Sequence, residues 1–206
     1  MKTKTIKAIL FDFDGTLTVP GLIDFLAVKK AIRCPDNSTI LEFIAGLPTE
    51  KCRKNAMNVM EKHEDMAARK AGPNQGAEEI IHLLKSKKVK LGILTRNSLK
   101  SLKTAMRSFR NMRLRDFDVV ITREHDIKLK PHPDGVREAC RALKVRPQEM
   151  LVVGDYVYDI QAGQGAGAGT VFLESCHTTK WPDPPADFTI RGLEELRGIF
   201  ETDNVR

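Results

Sequence analysis

The sequence predicts an α/β protein with a small all-helical unit inserted near its start, and two observations carry that prediction. Short apolar runs rich in strand formers recur at residues 7–13, 89–94, 117–121, 150–154 and 170–173, with amphipathic helical stretches between the later ones. Across residues 18–76 that alternation stops and only helical periodicity remains. The 206 residues, 41% apolar and 30% charged, suffice for one full core and a small accessory domain.

The first run ends at Asp12-Phe13-Asp14-Gly15-Thr16. It reads as a buried strand whose carboxyl end releases the chain into a turn. In an open α/β sheet that edge binds ligands, and two acids one residue apart there repel unless a cation or a proton intervenes. An Asp-Gly turn capped by Thr16 accounts for Asp14 and Gly15. It leaves Asp12, a carboxylate inside an apolar strand, without a partner.

The insert reads as a helical bundle. Leu22, Phe25, Leu26 and Ile32 fall on one helical face, and Asp36-Asn37-Ser38 offers caps for a short helix bearing Ile40, Leu41, Phe43 and Ile44, ended by Gly46. Thr49 caps a longer helix with Cys52, Ala56, Met57, Met60 and Ala67 inward, stopped by Gly72-Pro73. His63 lies beside that stripe and receives no role.

From Gly76 the α/β rhythm resumes, with Ala77, Ile80, Ile81 and Leu84 on one face of a helix. The strand at 89–94 runs into Thr95-Arg96-Asn97-Ser98, where a helix over 98–109 begins. That turn can hold an anion on unpaired backbone N–H groups, or Thr95 and Ser98 can simply cap the helix. The helix packs through Leu99, Leu102, Met106 and Phe109 and carries Lys100, Lys103, Arg107 and Arg110 outside, with Arg113 and Arg115 following. This basic stripe, in a chain of net charge +7, is the feature that points to an acidic partner. Few aromatics and no nucleic-acid motif accompany it, so it reads as a solvated face and nucleic acid is not the expected partner.

After the strand at 117–121 comes Lys130-Pro131-His132-Pro133, a proline-stiffened loop able to present a fixed positive charge. A helix with Val136, Ala139, Cys140 and Leu143 leads to the strand ending in Gly154-Asp155, and Asp159 lies four residues on. Acids at a further strand end suit an oxygen-rich magnesium site. Ala162-Gly163 and Ala166-Gly167 allow close helix packing, a fifth strand follows, and Leu193, Leu196, Ile199 and Phe200 close the body with a helix. Trp181-Pro182-Asp183-Pro184-Pro185 reads as a stiff surface loop. The four cysteines, Cys34, Cys52, Cys140 and Cys176, form no Cys-x-x-Cys pair and read as reduced, mostly packed thiols. The apolar part of the N-terminus is too short for a signal-peptide core, and an intracellular, cytoplasmic location without membrane association is expected.

Four short segments in order, Asp12-Phe13-Asp14-Gly15-Thr16, Thr95, Lys130-Pro131 and Gly154-Asp155-x-x-x-Asp159, resemble the motifs of the haloacid dehalogenase-like hydrolase superfamily. The resemblance implies a Rossmann-like three-layer sandwich around a five-stranded parallel sheet of order 5-4-1-2-3. It divides the chain into a core at 1–17 and 77–206 and a helical cap at 18–76. It also implies a magnesium-dependent phosphatase, similar to phosphoglycolate phosphatases, acting on a small phosphorylated metabolite as a monomer or weak dimer. Asp12, Asp14, Thr95 and Lys130 would be catalytic. Gly15, Thr16, Thr95, Arg96, Asn97 and Lys130 would surround the phosphate, and Asp12, Asp14, Asp155 and Asp159 would hold Mg²⁺. The enzymatic alternative is a sugar phosphomutase of the β-phosphoglucomutase type. The alternative of another class is a non-catalytic binding module that uses the 100–115 stripe.

Overall fold

A computed structural model describes residues 5–176 and 182–203, the side chains of 201–203 excepted. Its centre is a parallel sheet of β1 (Ala8–Phe11), β2 (Lys90–Leu94), β3 (Val119–Ile121), β4 (Met150–Gly154), β5 (Gly169–Leu173) and β6 (Phe188–Ile190), in the order β3-β2-β1-β4-β5-β6. The first five strands stand in the expected order. The sixth corrects the expected count: Phe188-Thr189-Ile190 is too short to show a period, and it follows a proline-rich loop that masks it. Trp181 of that loop lies outside the described residues.

Strand alternation explains the layers. Ile9 and Phe11 join one core with Ile81 and Leu84 of α4 (Ala77–Ser86), Leu102 of α5 (Leu99–Ala105) and Leu196 and Phe200 of α8 (Leu196–Asp203). Ala8 and Leu10 point the other way, into a core with Val136, Ala139 and Leu143 of α6 (Asp134–Leu143) and Ala162 of α7 (Val157–Ala166). Every residue of β1 is buried, as a parallel strand covered on both faces requires. A Cβ on Gly163 would stand 2.6 Å from Thr170 Cγ2, so α7 does press on β5 as its small residues suggested.

The insert holds α1 (Phe25–Ile32), α2 (Ile40–Ala45) and α3 (Glu50–Lys70), whose inner residues Val28, Ile40, Ile44, Ala56 and Met60 form a small core of their own. Thr49 caps α3 as expected, its hydroxyl accepting from Cys52 N at 3.1 Å. Thr39, not Asp36-Asn37-Ser38, occupies the N-cap position of the short helix α2, without a side-chain capping hydrogen bond. Phe25 and Leu26 of α1 are exposed, since this eight-residue helix turns Val28 toward its neighbours. Cys52, in the first turn of α3 beyond its packed stretch, is exposed too. Cys176 is likewise exposed, so only Cys34 and Cys140 are the packed thiols foreseen. The two chain crossings between insert and body pair as an isolated antiparallel bridge, Thr18 with Pro73. Among the described residues no helix is long and apolar enough to cross a membrane.

Candidate active site

The chain leaves β1 to β2 on one side and later enters β4 on the other, which makes the carboxyl ends of these strands a topological switch point. Asp12 stands there, its N–H still laddered to Val153 O at 2.8 Å. Phe13 O then accepts from both Leu17 N and Thr18 N, each at 3.0 Å, closing the turn that carries Asp14 and Gly15. Gly15 adopts φ +79°, and a Cβ on it would lie 2.2 Å from Asp155 Oδ2. Only glycine lets the first loop approach the fourth strand's acid so closely.

Lys130 reaches into this edge, donating to Asp12 Oδ1 at 2.5 Å and to Asp159 Oδ1 at 2.6 Å. Burial alone would favour neutral lysine, but the two carboxylates outweigh it and hold Lys130 protonated above the usual lysine range. Asp12, Asp155 and Asp159 present oxygens within 4.8 Å of one another. Burial, and then the charge of Asp12, pushes the carboxyl of Asp155 upward; Asp159 is raised by burial and Asp12 against the pull of Lys130. The oxygens of Asp159 accept from Lys130 and from Tyr156 N (3.1 Å), and Asp155 Oδ1 accepts from Thr16 Oγ1 at 3.3 Å. An all-oxygen cluster of three carboxylates suits a hard divalent cation. Within it Asp12 and Asp159 share Lys130 as a partner, which Asp155 does not touch.

Asp14 does not join that cluster through its side chain. Its Oδ2 accepts from Asn97 Nδ2, and its carboxyl is pushed up to about 7 by burial, then by Asp12 and Glu64, with Asn97 and Lys130 opposing. Thr95 ends β2 buried, its N–H on Ile121 O at 3.0 Å and its hydroxyl accepting from Asn97 N at 3.1 Å. Asn97 therefore spends its N–H on Thr95 and its side chain on Asp14, while the hydroxyl proton of Thr95 remains to be donated.

Three features escaped the sequence reading. Thr18, buried, accepts from Gly15 N (3.2 Å) and donates to Phe13 O (3.3 Å). Asn74 Nδ2 donates to Gly15 O (3.3 Å) and Thr16 O (3.0 Å), bracing the first loop from the far end of the insert. The side chain of Arg96 bridges Lys130 O (2.7 Å) and Glu42 of α2. None of these follows from local pattern, because each partner is distant in sequence or chosen by a turn. The basic stripe does face outward: Lys100, Lys103 and Arg107 line an open groove with Asp65 and Arg69 of α3.

A carboxylate, a lysine and an acid cluster at the switch point of a parallel sheet define a hydrolase-type α/β active site. The chain belongs to the haloacid dehalogenase-like hydrolases, whose family profile matches residues 9–173. It is 38% identical over 205 residues to the uncharacterized hydrolase YOR131C of Saccharomyces cerevisiae, covering 98% of this chain and 94% of that one. It is 28% identical to the validoxylamine A 7'-phosphate phosphatase of Streptomyces hygroscopicus subsp. limoneus, covering 93% and 96%. The crystal structure of a predicted phosphoglycolate phosphatase from Haemophilus somnus shares the fold, with a TM-score of 0.73 at 20% identity over 95% of this chain and 98% of that one.

Proposed function

We propose that this hydrolase is a magnesium-dependent phosphatase that cleaves small phosphate monoesters through an aspartyl-phosphate on Asp12, with residues 18–76 forming a cap over the site. One observation carries the reading: two carboxylates two residues apart meet different partners. Asp12 is paired with protonated Lys130, while Asp14, buried and facing other acids, has its carboxyl pushed up to about 7. This difference in surroundings supports Asp12 as nucleophile and Asp14 as general acid.

In the first step an Asp12 oxygen forms a bond to phosphorus as the ester P–O bond breaks, and neutral Asp14 gives its proton to the departing alkoxide oxygen. In the second, Asp14 as carboxylate takes a proton from water, whose oxygen attacks the same phosphorus and frees Asp12. Lys130, the Thr95 hydroxyl and the N–H of Arg96 are the donors available to the phosphoryl oxygens, and Gly15 and Thr16 shape the wall opposite. Asp12, the backbone carbonyl of Asp14 and Asp155 would hold Mg²⁺, which when bound supplies positive charge against the carboxylates and the phosphoryl group. The hard-oxygen donor set supports this choice of ion.

Phosphate release from a panel of alkyl and sugar monoesters, with Mg²⁺ and with a chelator, tests the reading. Release that requires the metal, and that falls at least about 10²-fold in Asp155→Ala, is expected. Metal-independent release, or none from any ester, would contradict it.

A further inference from the structure

Arg96 follows Thr95 directly, yet its side chain turns away from the β2 end toward the lysine loop. Nη1 donates to Lys130 O at 2.7 Å, and the guanidinium carbon lies 5.4 Å from the ring centroid of Tyr158 on α7. Tyr158 is itself steadied by an edge-to-face contact with Tyr156, ring centroids 4.9 Å apart. One edge and one face of the guanidinium are thus fixed by the body of the protein. The other terminal nitrogen, Nη2, donates to both oxygens of Glu42, at 2.7 and 2.8 Å, and Glu42 comes from α2 of the insert.

The two partners differ in exposure, and Glu42 also carries a hydrogen bond with the Thr39 side chain. The side chain of Arg96 is 21% exposed and that of Glu42 is 49% exposed. An ion pair this open adds little to stability and exchanges readily with solvent anions. A guanidinium keeps its charge at any working pH, and its planar fork matches carboxylate and phosphoryl oxygens. The Lys130 carbonyl that anchors Nη1 belongs to the residue whose ammonium touches Asp12, so the fork is tied to the loop that brings this lysine to the site.

The geometry points to Arg96 as a specificity-determining residue that receives a second anionic group of the substrate, carboxylate or phosphoryl, at the place where Glu42 now meets it. Glu42 is then a competing anion supplied by the insert, and esters with uncharged tails gain nothing from the fork. The inference rests on the phosphatase reading and names its substrate class: monoesters whose second anion lies a short chain away from the scissile phosphate.

The test compares kcat/KM for matched pairs, phosphoglycolate against ethyl phosphate for the carboxylate and propane-1,3-diol bisphosphate against propyl phosphate for the second phosphoryl group. At least one pair is expected to favour the doubly charged ester by roughly 10- to 100-fold, the worth of one charge-assisted pair. Arg96→Ala should bring that ratio to about 1, Arg96→Lys should restore part of it, and Glu42→Gln should raise it by removing the competitor. Whichever pair responds identifies the group. A ratio near 1 in the parent protein, or equal loss for both members of each pair in Arg96→Ala, overturns the inference. Uncharged-tail esters report the chemistry and folding of each sample. If they too are inert in the parent protein with Mg²⁺, the phosphatase reading has failed, and this inference falls with it.

Discussion

Asp14 shows how far a single residue's chemistry depends on neighbours remote in sequence. Its carboxyl is raised by burial, by Asp12 and by Glu64, and its geometry is set by Asn97 at the end of another strand. A general acid must be protonated to act, so kcat/KM toward alkyl phosphates should fall on the alkaline side as Asp14 ionises, and bound metal, offsetting the charge of Asp12, moves that fall to lower pH than the metal-free carboxyl would give. With 4-nitrophenyl phosphate, whose leaving group needs no proton, the alkaline fall should be smaller. Asp14→Asn should lower the alkyl rate by roughly 10²- to 10⁴-fold and the aryl rate by much less; parallel losses for the two esters would remove Asp14 from the acid role. Asp12, Asp14 and Asp155 were legible as candidates because acids at predicted strand ends are costly without a purpose, whereas Lys130 in its loop and Asp159 on its turn stood out through the family motifs. The roles of Thr18, Asn74 and the Arg96 side chain were not legible: hydrogen bonds spanning 58 or 59 positions, as Asn74 makes, leave no local mark.

At the scale of elements, the insert meets the body through a second ion pair unlike the first. Glu64 of α3 accepts from Arg123, which follows β3, and their side chains are 1% and 8% exposed, while Glu61 lies 3.4 Å from the same guanidinium. Glu64 Oε2 is buried without a hydrogen-bond partner among the described residues, and burial raises the Glu64 carboxyl despite the pull of Arg123. Removing one member of such a pair strands the other in a dry environment. Glu64→Ala should therefore cost about 3–5 kcal/mol in urea unfolding, against about 0–1 kcal/mol for Glu42→Ala at the exposed pair. Equal costs would show that the two junctions are held alike. The helices themselves were legible from period and caps. Their inward faces were less so, because α1 and the first turn of α3 overhang the small core and leave Phe25, Leu26 and Cys52 exposed.

Over the whole molecule, the buried acids tie stability to pH and to metal. Asp14, Asp155 and Asp159 all titrate higher in the folded chain than the ordinary 3.8 of an aspartate, so folding takes up protons. Their contribution is complete below about pH 4 and is lost as pH rises through the folded values, which for Asp14 lies near 7. Metal-free protein should accordingly melt lower at pH 8 than at pH 5, and added Mg²⁺ should raise Tm more at pH 8, where the acids are ionised. A Tm shift independent of pH would separate the metal from these carboxylates. The order of the first five strands came from the family resemblance that the four motifs carry, since periodicity alone gives alternation but no order. The sixth strand did not, since three residues paired only to β5 are specified by the edge they join more than by their own pattern.

The central claim is that Asp12 carries the phosphoryl group between the two steps. Rapid acid quench of a single turnover, with an ester labelled in its phosphoryl group and Mg²⁺ present, tests it most directly. Label bound to the protein, released by hydroxylamine, mapped to Asp12 and absent from Asp12→Asn, is the predicted result. Phosphate release with no protein-bound label, sustained at the parent rate in Asp12→Asn, would contradict the account.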